Sequence, residues 1–218
     1  MRDSLGVSVA VGSYGVAFGA ASVASGLSTP QTVVLSTLAF TGGTQFAVVG
    51  IVAGGGTLAA ALSSGLLLAA RNTLYAMRLA PLLRLRGLRR MVAAHGTIDE
   101  TTAMAVARGD PSLSRLAFWW TFGGVWVCWN IATVVGALGA RALGDPARFG
   151  LDAVIPAAFL ALLAPRLHAG RVERRVAAGA AVIALVLIPF TPPGVPILAS
   201  AAALLLGGVP ARRSAMAA

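Results

Sequence analysis

Long apolar stretches alternate with short polar tracts along the whole chain. We count seven apolar segments, at residues 5–27, 32–53, 57–82, 116–140, 151–165, 176–189 and 195–209. The first four contain 22 residues or more, and helices of that length cross a hydrocarbon core of about 30 Å. The last three contain 14 or 15 residues, which predicts short, tilted or discontinuous helices. The pattern predicts a single all-α membrane domain over residues 1–218, with about seven transmembrane helices.

The placement of arginine predicts an orientation for these helices. All 17 basic residues are arginines, and most of them lie in the polar tracts after segments three and five and in the C-terminal tail. With seven spans these tracts fall on one side of the membrane, which the positive-inside rule makes cytoplasmic. This arrangement places the N-terminus outside, the C-terminus in the cytoplasm and a cytoplasmic loop at about residues 84–115.

Composition supports a membrane protein and excludes several other classes. The chain is 57% hydrophobic and 11% charged, with a mean hydropathy of +0.84, whereas soluble domains carry about 25% charged residues. The net charge of +10 resides in the polar tracts, so we expect no nucleic-acid partner. Cys128 has no second cysteine with which to pair, and His95 and His168 lack the spacing of a metal site. No nucleophile-and-base pattern is present, and we expect neither an enzyme nor a cofactor.

Segment two contains a stretch that disfavours a continuous helix. In "LAFTGGTQFAVVG" two adjacent glycines are flanked by threonines in the middle of the segment, and each glycine weakens a helix by about 1 kcal/mol. Backbone groups released by such a break can contact a substrate. Pro156 and Pro165 predict further breaks in segment five, and "PFTPPGVP" (189–196) predicts a rigid turn.

Arg71 lies beside Asn72 inside the third apolar segment. An arginine at the centre of a membrane helix costs about 2.5–3.5 kcal/mol on insertion scales, so its presence needs an explanation. It could snorkel toward the cytoplasmic face, join neighbouring helices, or line a cavity and hold a substrate carboxylate with its planar guanidinium. Ionisable residues inside membranes are functional candidates by default.

These observations give two sets of candidate residues. The candidate substrate contacts are Gly42, Gly43, Thr44, Gln45, Arg71, Asn72, Asn130 and Pro156. The candidates for proton coupling are Asp99, Glu100 and Asp152. Asp99 and Glu100 resemble the first-turn acids of a short helix with Thr97 as its cap. We expect that helix to lie on the membrane surface or to plug the inner mouth of the protein.

Five stretches resemble the AzlC-type branched-chain amino acid permeases, the large subunits of two-component exporters. They are "FGAASVASGLS" (18–28), "STLAFTGGTQFAVVG" (36–50), "TIDETTAM" (97–104), "WNIATVVGALGA" (129–140) and "FGLDAVIPAAFLALLAPRL" (149–167). Where the family tends to show Asn-x-Arg-His, this chain has Ala69-Ala70-Arg71-Asn72. The arginine carries over, whereas any proton role of the family's histidine does not.

The resemblance implies a multi-pass protein of the bacterial inner membrane. It implies export of leucine, isoleucine and valine, with methionine as a further candidate, driven by the proton motive force together with a small AzlD-type subunit. We place the substrate site near the bilayer midplane, between segments two, three and five. A small-solute channel and a non-transporting scaffold subunit are the alternatives, and an internal three-plus-three repeat pairing segments two and five stays open.

Overall fold

The computed structural model describes residues 1–142 and 153–207, and every element in these two ranges is helical. The elements are α1 (Arg2–Ala24), α2 (Thr29–Leu38), α3 (Gly43–Ala53), α4 (Leu58–Leu83), α5 (Gly87–His95), α6 (Asp99–Val106), α7 (Pro111–Ala142), α8 (Val154–Ala169), α9 (Arg171–Leu187), α10 (Val195–Ser200) and a 3₁₀ helix (Ala201–Gly207). By length and composition, α1 and α7 are long and apolar enough to cross a membrane. The expected all-helical fold is confirmed, and the number of spanning helices stays a prediction.

Helices α1 and α7 form the most extensive helix pair among the described residues. Added Cβ atoms at Gly12 and Gly19 would collide with α7, and one at Gly15 would lie 2.5 Å from the carbonyl oxygen of Trp129. Small residues permit this close approach of two membrane helices. The contacts advance in the same direction along both helices, since Gly12 of α1 faces Cys128 of α7 and Gly19 faces residues 133–137. The two helices are therefore parallel.

Because α1 and α7 are parallel, both begin at the same end of the bundle. Arg108 donates to the Asp3 carboxylate there at 2.8 Å, and Arg115 donates to the Leu82 carbonyl near the end of α4 at 3.3 Å. We call this the arginine-rich end, after Arg2, Arg84, Arg86, Arg89, Arg90, Arg108 and Arg115. The prediction that the N-terminus lies across the membrane from the loop at 84–115 is wrong, because an ion pair joins the two.

The physical reason lies in segment two, which is two helices. Along α2 the contacts with α7 run in reverse order: Thr29 accepts from Arg141 at 3.3 Å, and Ser36 donates to Asn130 at 2.8 Å. Helix α2 is therefore antiparallel to α7 and points toward the arginine-rich end. The predicted break is confirmed, since residues 39–42 are not helical.

Beyond the break the chain turns back. Gly43 lies beside Arg71, and Val48 lies beside Gly65, so α3 is antiparallel to α4. Because α4 ends at the arginine-rich end, α3 leads away from it, toward the end at which α2 began. Helices α2 and α3 thus form a re-entrant hairpin whose tip, at residues 39–42, lies inside the bundle. Segment two enters and leaves by the same end.

A second hairpin, formed by α5 and α6, enters from the arginine-rich end. Its tip contacts the tip of the first, because the His95 ring lies 5.9 Å from that of Phe40 and 6.2 Å from that of Phe122. Each hairpin is followed by a long helix, α4 or α7. The units α2–α3–α4 and α5–α6–α7 are therefore inverted relative to each other. In this internal repeat, the counterpart of segment two is the tract at residues 84–106. The repeat considered from the sequence paired segment two with segment five instead.

Burial at the second tip distinguishes between the two expectations for this tract. Thr97, Ile98 and Thr101 are all buried, which agrees with a plug and not with a helix on the surface. The expected cap is wrong: the Thr97 hydroxyl donates to the Ala93 carbonyl at 2.8 Å, and the Ile98 N–H donates to Thr101 Oγ1 at 3.0 Å. The short acidic helix itself is confirmed, with Asp99 at its start.

The C-terminal helices differ from expectation at one point. Helix α8 is continuous from Val154 to Ala169, so the predicted break in segment five is wrong. Pro156 stands in the first turn, where a helix needs no N–H donor, and Pro165 is accommodated within the helix. The predicted turn at 189–196 is confirmed, although it lies slightly earlier, because α9 ends at Leu187 and α10 begins at Val195.

Candidate functional site

The two hairpin tips bring two helix N-termini together inside the bundle. Helix α3 begins at Gly43 and α6 begins at Asp99. The first N–H groups of a helix have no intrahelical acceptor and form the positive end of its dipole. Gly42, which precedes α3, has φ 57°, a conformation that glycine adopts without a steric penalty. The double glycine thus permits the sharp reversal that places the start of α3 beside α4.

Gln45 fastens the first hairpin. Its side chain is fully buried. The Gly42 N–H donates to Gln45 Oε1 at 3.2 Å, and Gln45 Nε2 donates to the carbonyls of Leu35 and Ser36 at 3.1 Å each. These bonds satisfy the Gly42 N–H and the Ser36 carbonyl at the break, and they add a second donor to the Leu35 carbonyl, which already accepts from the Ala39 N–H. Gln45, expected as a substrate contact, therefore has its amide committed to the fold.

Arg71 lies halfway along α4 and reaches the space between the tips. Its guanidinium makes an ion pair with Asp99 at 3.2 Å, and Nη2 lies 3.7 Å from the position that a Cβ on Gly43 would occupy. The two charged side chains remain 42% and 37% exposed. Among the three interpretations of Arg71, this position excludes snorkelling to a helix end. A ligand can still reach both charges.

Several polar atoms on α3, α4 and α6, the helices that meet here, are buried with no hydrogen-bond partner among the described residues. They are Thr44 Oγ1, Ser64 Oγ, Asn72 Oδ1, Asp99 Oδ1 and Thr102 Oγ1. Thr44, at the start of α3, packs against Gly65 of α4, which is next to Ser64 in the sequence. Most buried polar atoms in proteins are satisfied, so a group of unsatisfied ones indicates a site for water or a polar ligand.

Helical spacing explains which of these residues face the site. Ser64 and Arg71 are two turns apart on α4 and share a face, and Asp99 and Thr102 share a face of α6. The Tyr75 hydroxyl, one turn after Arg71, lies beside the Asp99 carboxylate. Ser64, Tyr75 and Thr102 were absent from the candidates chosen from the sequence, although their spacing from Arg71 and Asp99 could have identified them.

Glu100 follows Asp99 in the first turn of α6, where an acidic side chain interacts favourably with the positive end of the helix dipole. A change in the charge of Glu100 acts on the neighbouring ion pair of Asp99 with Arg71. Glu100 therefore stays a candidate for proton coupling.

The remaining candidates have other positions. Asn130 accepts from Ser36 at 2.8 Å and donates to the Trp126 carbonyl at 2.8 Å, so its amide joins α2 to α7. Pro156 is exposed in the first turn of α8. Asp152 lies outside the described residues. The structure thus brings Gly43, Thr44, Arg71 and Asp99 together, and it gives Asn130 a contact between helices.

Comparisons with known proteins give one family and one curated relative. The model of the family described as "AzlC protein" matches residues 6–143. "Inner membrane protein YgaZ" of Escherichia coli (strain K12) is 28% identical over 170 residues, covering 74% of this chain and 69% of the relative. No solved structure matches the chain. The matched family residues include both hairpins, Arg71 and Asp99.

Proposed function

Because the chain belongs to the AzlC family, whose members are membrane transport proteins and not enzymes, we propose that it is the large subunit of a secondary transporter that exports branched-chain amino acids. Leucine, isoleucine and valine are the proposed substrates, with methionine as a further one. We place the protein in the bacterial inner membrane, since it is similar to an inner membrane protein, with its arginine-rich end in the cytoplasm.

The observation that carries the proposal is the ion pair between Arg71 and Asp99 at the meeting point of the hairpin tips. A zwitterionic amino acid carries a carboxylate and an ammonium on the same carbon atom. Arg71 and the N-terminus of α3 supply the positive charge that a carboxylate requires, and Asp99 supplies the negative charge that an ammonium requires. The substrate thus replaces the intrachain ion pair with two ion pairs of its own.

This exchange lowers the free energy needed to bind a charged molecule inside the bundle. An isolated buried charge is costly to desolvate, and the pair of Arg71 and Asp99 neutralises both groups when no substrate is present. The side chains of Thr44 and Ser64, whose hydroxyls lack partners, are available to hydrogen-bond the substrate carboxylate or a water beside it. Discontinuous helices with N-termini at the substrate are a recurring arrangement in transporters.

Apolar surroundings of the break suit an aliphatic side chain. Phe40 lies in the break and Phe46 follows it in α3, and both belong to the buried cluster that also contains Phe18 and Trp129. Phe159 of α8 packs edge-on against Phe46, with ring centroids 6.3 Å apart. A branched aliphatic side chain directed into this cluster gains transfer free energy of about 0.8 kcal/mol for each CH₂ group that it buries.

We further propose that export is coupled to the proton motive force through Glu100 and Asp99, and that a small AzlD-type membrane subunit takes part. The position of Glu100 beside Asp99 in the first turn of α6 supports the first statement. Protonation of a carboxyl beside Asp99 alters the negative charge available to the substrate ammonium. That change couples proton binding to substrate affinity.

Leucine counterflow in proteoliposomes tests the proposal. A carrier loaded with unlabelled leucine accumulates labelled leucine transiently, whereas a channel equilibrates it and a scaffold does not move it. We expect counterflow with the wild-type chain, assayed with and without a co-purified small subunit, and its loss in Arg71→Gln. Normal counterflow in an Arg71→Gln protein that is inserted at wild-type levels would refute the assigned site.

A further inference from the structure

A cavity lies at the arginine-rich end, away from the hairpin tips. It is an open groove of about 1070 Å³ between the start of α1, the region around α5 and residues 112–128 of α7. Three arginines line it, Arg2, Arg89 and Arg115. Cys128 is the lining residue of α7 that lies farthest along the helix from Arg115. From Arg115 to Cys128 the helix rises about 20 Å. The groove is thus elongated along α7, with its positive charges at one end.

The walls of the groove are apolar below the arginines. Leu5 of α1 and Leu116, Trp119, Trp120 and Val127 of α7 line them. Gly123 leaves open space on the same side, because an added Cβ there would meet no atom within 4 Å. The lining residues include no carboxylate, and none of the three arginines has an ion pair within the described part of the chain. Arg115 uses its Nε on the Leu82 carbonyl, and its terminal nitrogens make no other hydrogen bond there.

We infer that this groove binds an anionic phospholipid of the surrounding bilayer. The phosphate would lie among Arg2, Arg89 and Arg115, and one acyl chain would extend along Trp120 and Gly123 toward Cys128. Charge complementarity supports this occupant, because a molecule that is negative at one end and apolar along about 20 Å matches the three arginines and the mainly apolar walls below them. A transmembrane helix of another protein would leave the three guanidinium groups without counter-charges unless it carried acids at that level.

Two pairs of variants separate this site from general attraction of lipid to a basic protein. The double variant Arg2→Gln/Arg89→Gln removes two charges from the groove, and Arg90→Gln, on the same helix as Arg89 but outside the lining, is the control. Gly123→Leu fills the apolar part without a backbone clash. Gly139→Leu is its control, because Gly139 lies on the same helix, also has open space, and is outside the groove.

Native mass spectrometry of the purified chain, titrated with phosphatidylglycerol or with phosphatidylcholine of the same acyl chains, measures lipid retention directly. We expect preferential retention of phosphatidylglycerol, weakened by about tenfold or more in Arg2→Gln/Arg89→Gln and lost in Gly123→Leu. Both control variants should behave as the wild type does. Equal retention of the two lipids, or unchanged retention in both groove variants, would overturn the inference. Loss of a co-purifying protein in Gly123→Leu with unchanged lipid retention would assign the groove to a protein partner instead.

Discussion

Arg71 and Asp99 form an ion pair at 3.2 Å, although one lies in the middle of a long helix and the other begins a short helix in a different hairpin. Their contact joins the tips of two hairpins that enter the bundle from opposite ends. Both side chains are partly exposed, so a charged ligand can reach them and replace the ion pair with contacts to itself. The proposed transport mechanism depends on this pair.

We predict that Asp99→Asn impairs leucine transport without unfolding the protein. The substitution keeps the shape of the side chain and removes the charge that would hold the substrate ammonium. Loss of one charge-assisted hydrogen bond corresponds to about 1.5–3 kcal/mol, or roughly a 10- to 100-fold weaker apparent affinity. Initial rates at increasing leucine concentration measure it. Asp110→Asn is the control, because Asp110 is exposed and its carboxylate accepts hydrogen bonds from the N–H groups of Ser112 and Leu113, far from Arg71 in the sequence.

Gln45→Ala is predicted to destabilise the protein strongly. The change leaves the Gly42 N–H and the carbonyls of Leu35 and Ser36 without their bonds to the buried amide. We expect a loss of about 3 kcal/mol in the free energy of unfolding. Thermal unfolding in detergent provides the measurement. Gln31→Ala removes an exposed capping bond at the start of α2 and should cost about 1 kcal/mol or less. Equal effects of the two variants would contradict the assigned role.

Substitution of Gly19 tests the close packing of α1 on α7. A Cβ at this position collides with the Thr133 backbone, so Gly19→Val forces the two helices apart. We expect a lower melting temperature, corresponding to about 1–3 kcal/mol. Gly6→Val, on the same helix but with nothing within 4 Å of the new Cβ, should leave the melting temperature nearly unchanged. A similar loss in both variants would show that helix propensity, and not packing, decides the outcome.

The pH dependence of transport should depend on Glu100. Glu100 lies beside Asp99 at the start of α6, so its charge acts on the substrate ammonium that Asp99 would hold. The carboxyl is neutral when it is protonated at low pH and negative when it has ionised at higher pH. The substitution Glu100→Gln mimics the protonated form at every pH, so this variant should retain the low-pH behaviour of the wild type at higher pH. Counterflow rates over a pH series provide the test. An unchanged pH profile would exclude Glu100 as the coupling residue.

The sequence predicted most helices and the principal break, but not the path of the chain. Hydropathy places the Gly42–Gly43 break inside an apolar segment, yet a broken span and a re-entrant hairpin of the same length have the same hydropathy. The reversal is visible only in tertiary contacts, such as the hydrogen bond from Arg141 to Thr29. Counting this segment as one membrane crossing reversed the predicted direction of segment one relative to the 84–115 tract. The N-terminus was therefore placed at the wrong end.

The candidate site was predicted in part for a similar reason. Arg71 and the glycine break were identifiable, because a charge and a helix breaker inside apolar segments are both unusual. The contact of Arg71 with Asp99 was not, since the 84–115 tract is polar enough to resemble a solvent-exposed loop. Its tip is buried because Thr97 and Thr101 satisfy their hydroxyls on nearby backbone carbonyls, a detail that composition does not reveal.

Calorimetric binding of leucine to the purified protein, compared between the wild type, Arg71→Gln and Asp99→Asn, is the most direct measurement of the central claim. We predict that each single variant binds leucine at least about tenfold more weakly than the wild type, because each removes the partner of one substrate charge. Leucine affinity equal to that of the wild type in both folded variants would show that the amino acid binds elsewhere, and the account of this site would be contradicted.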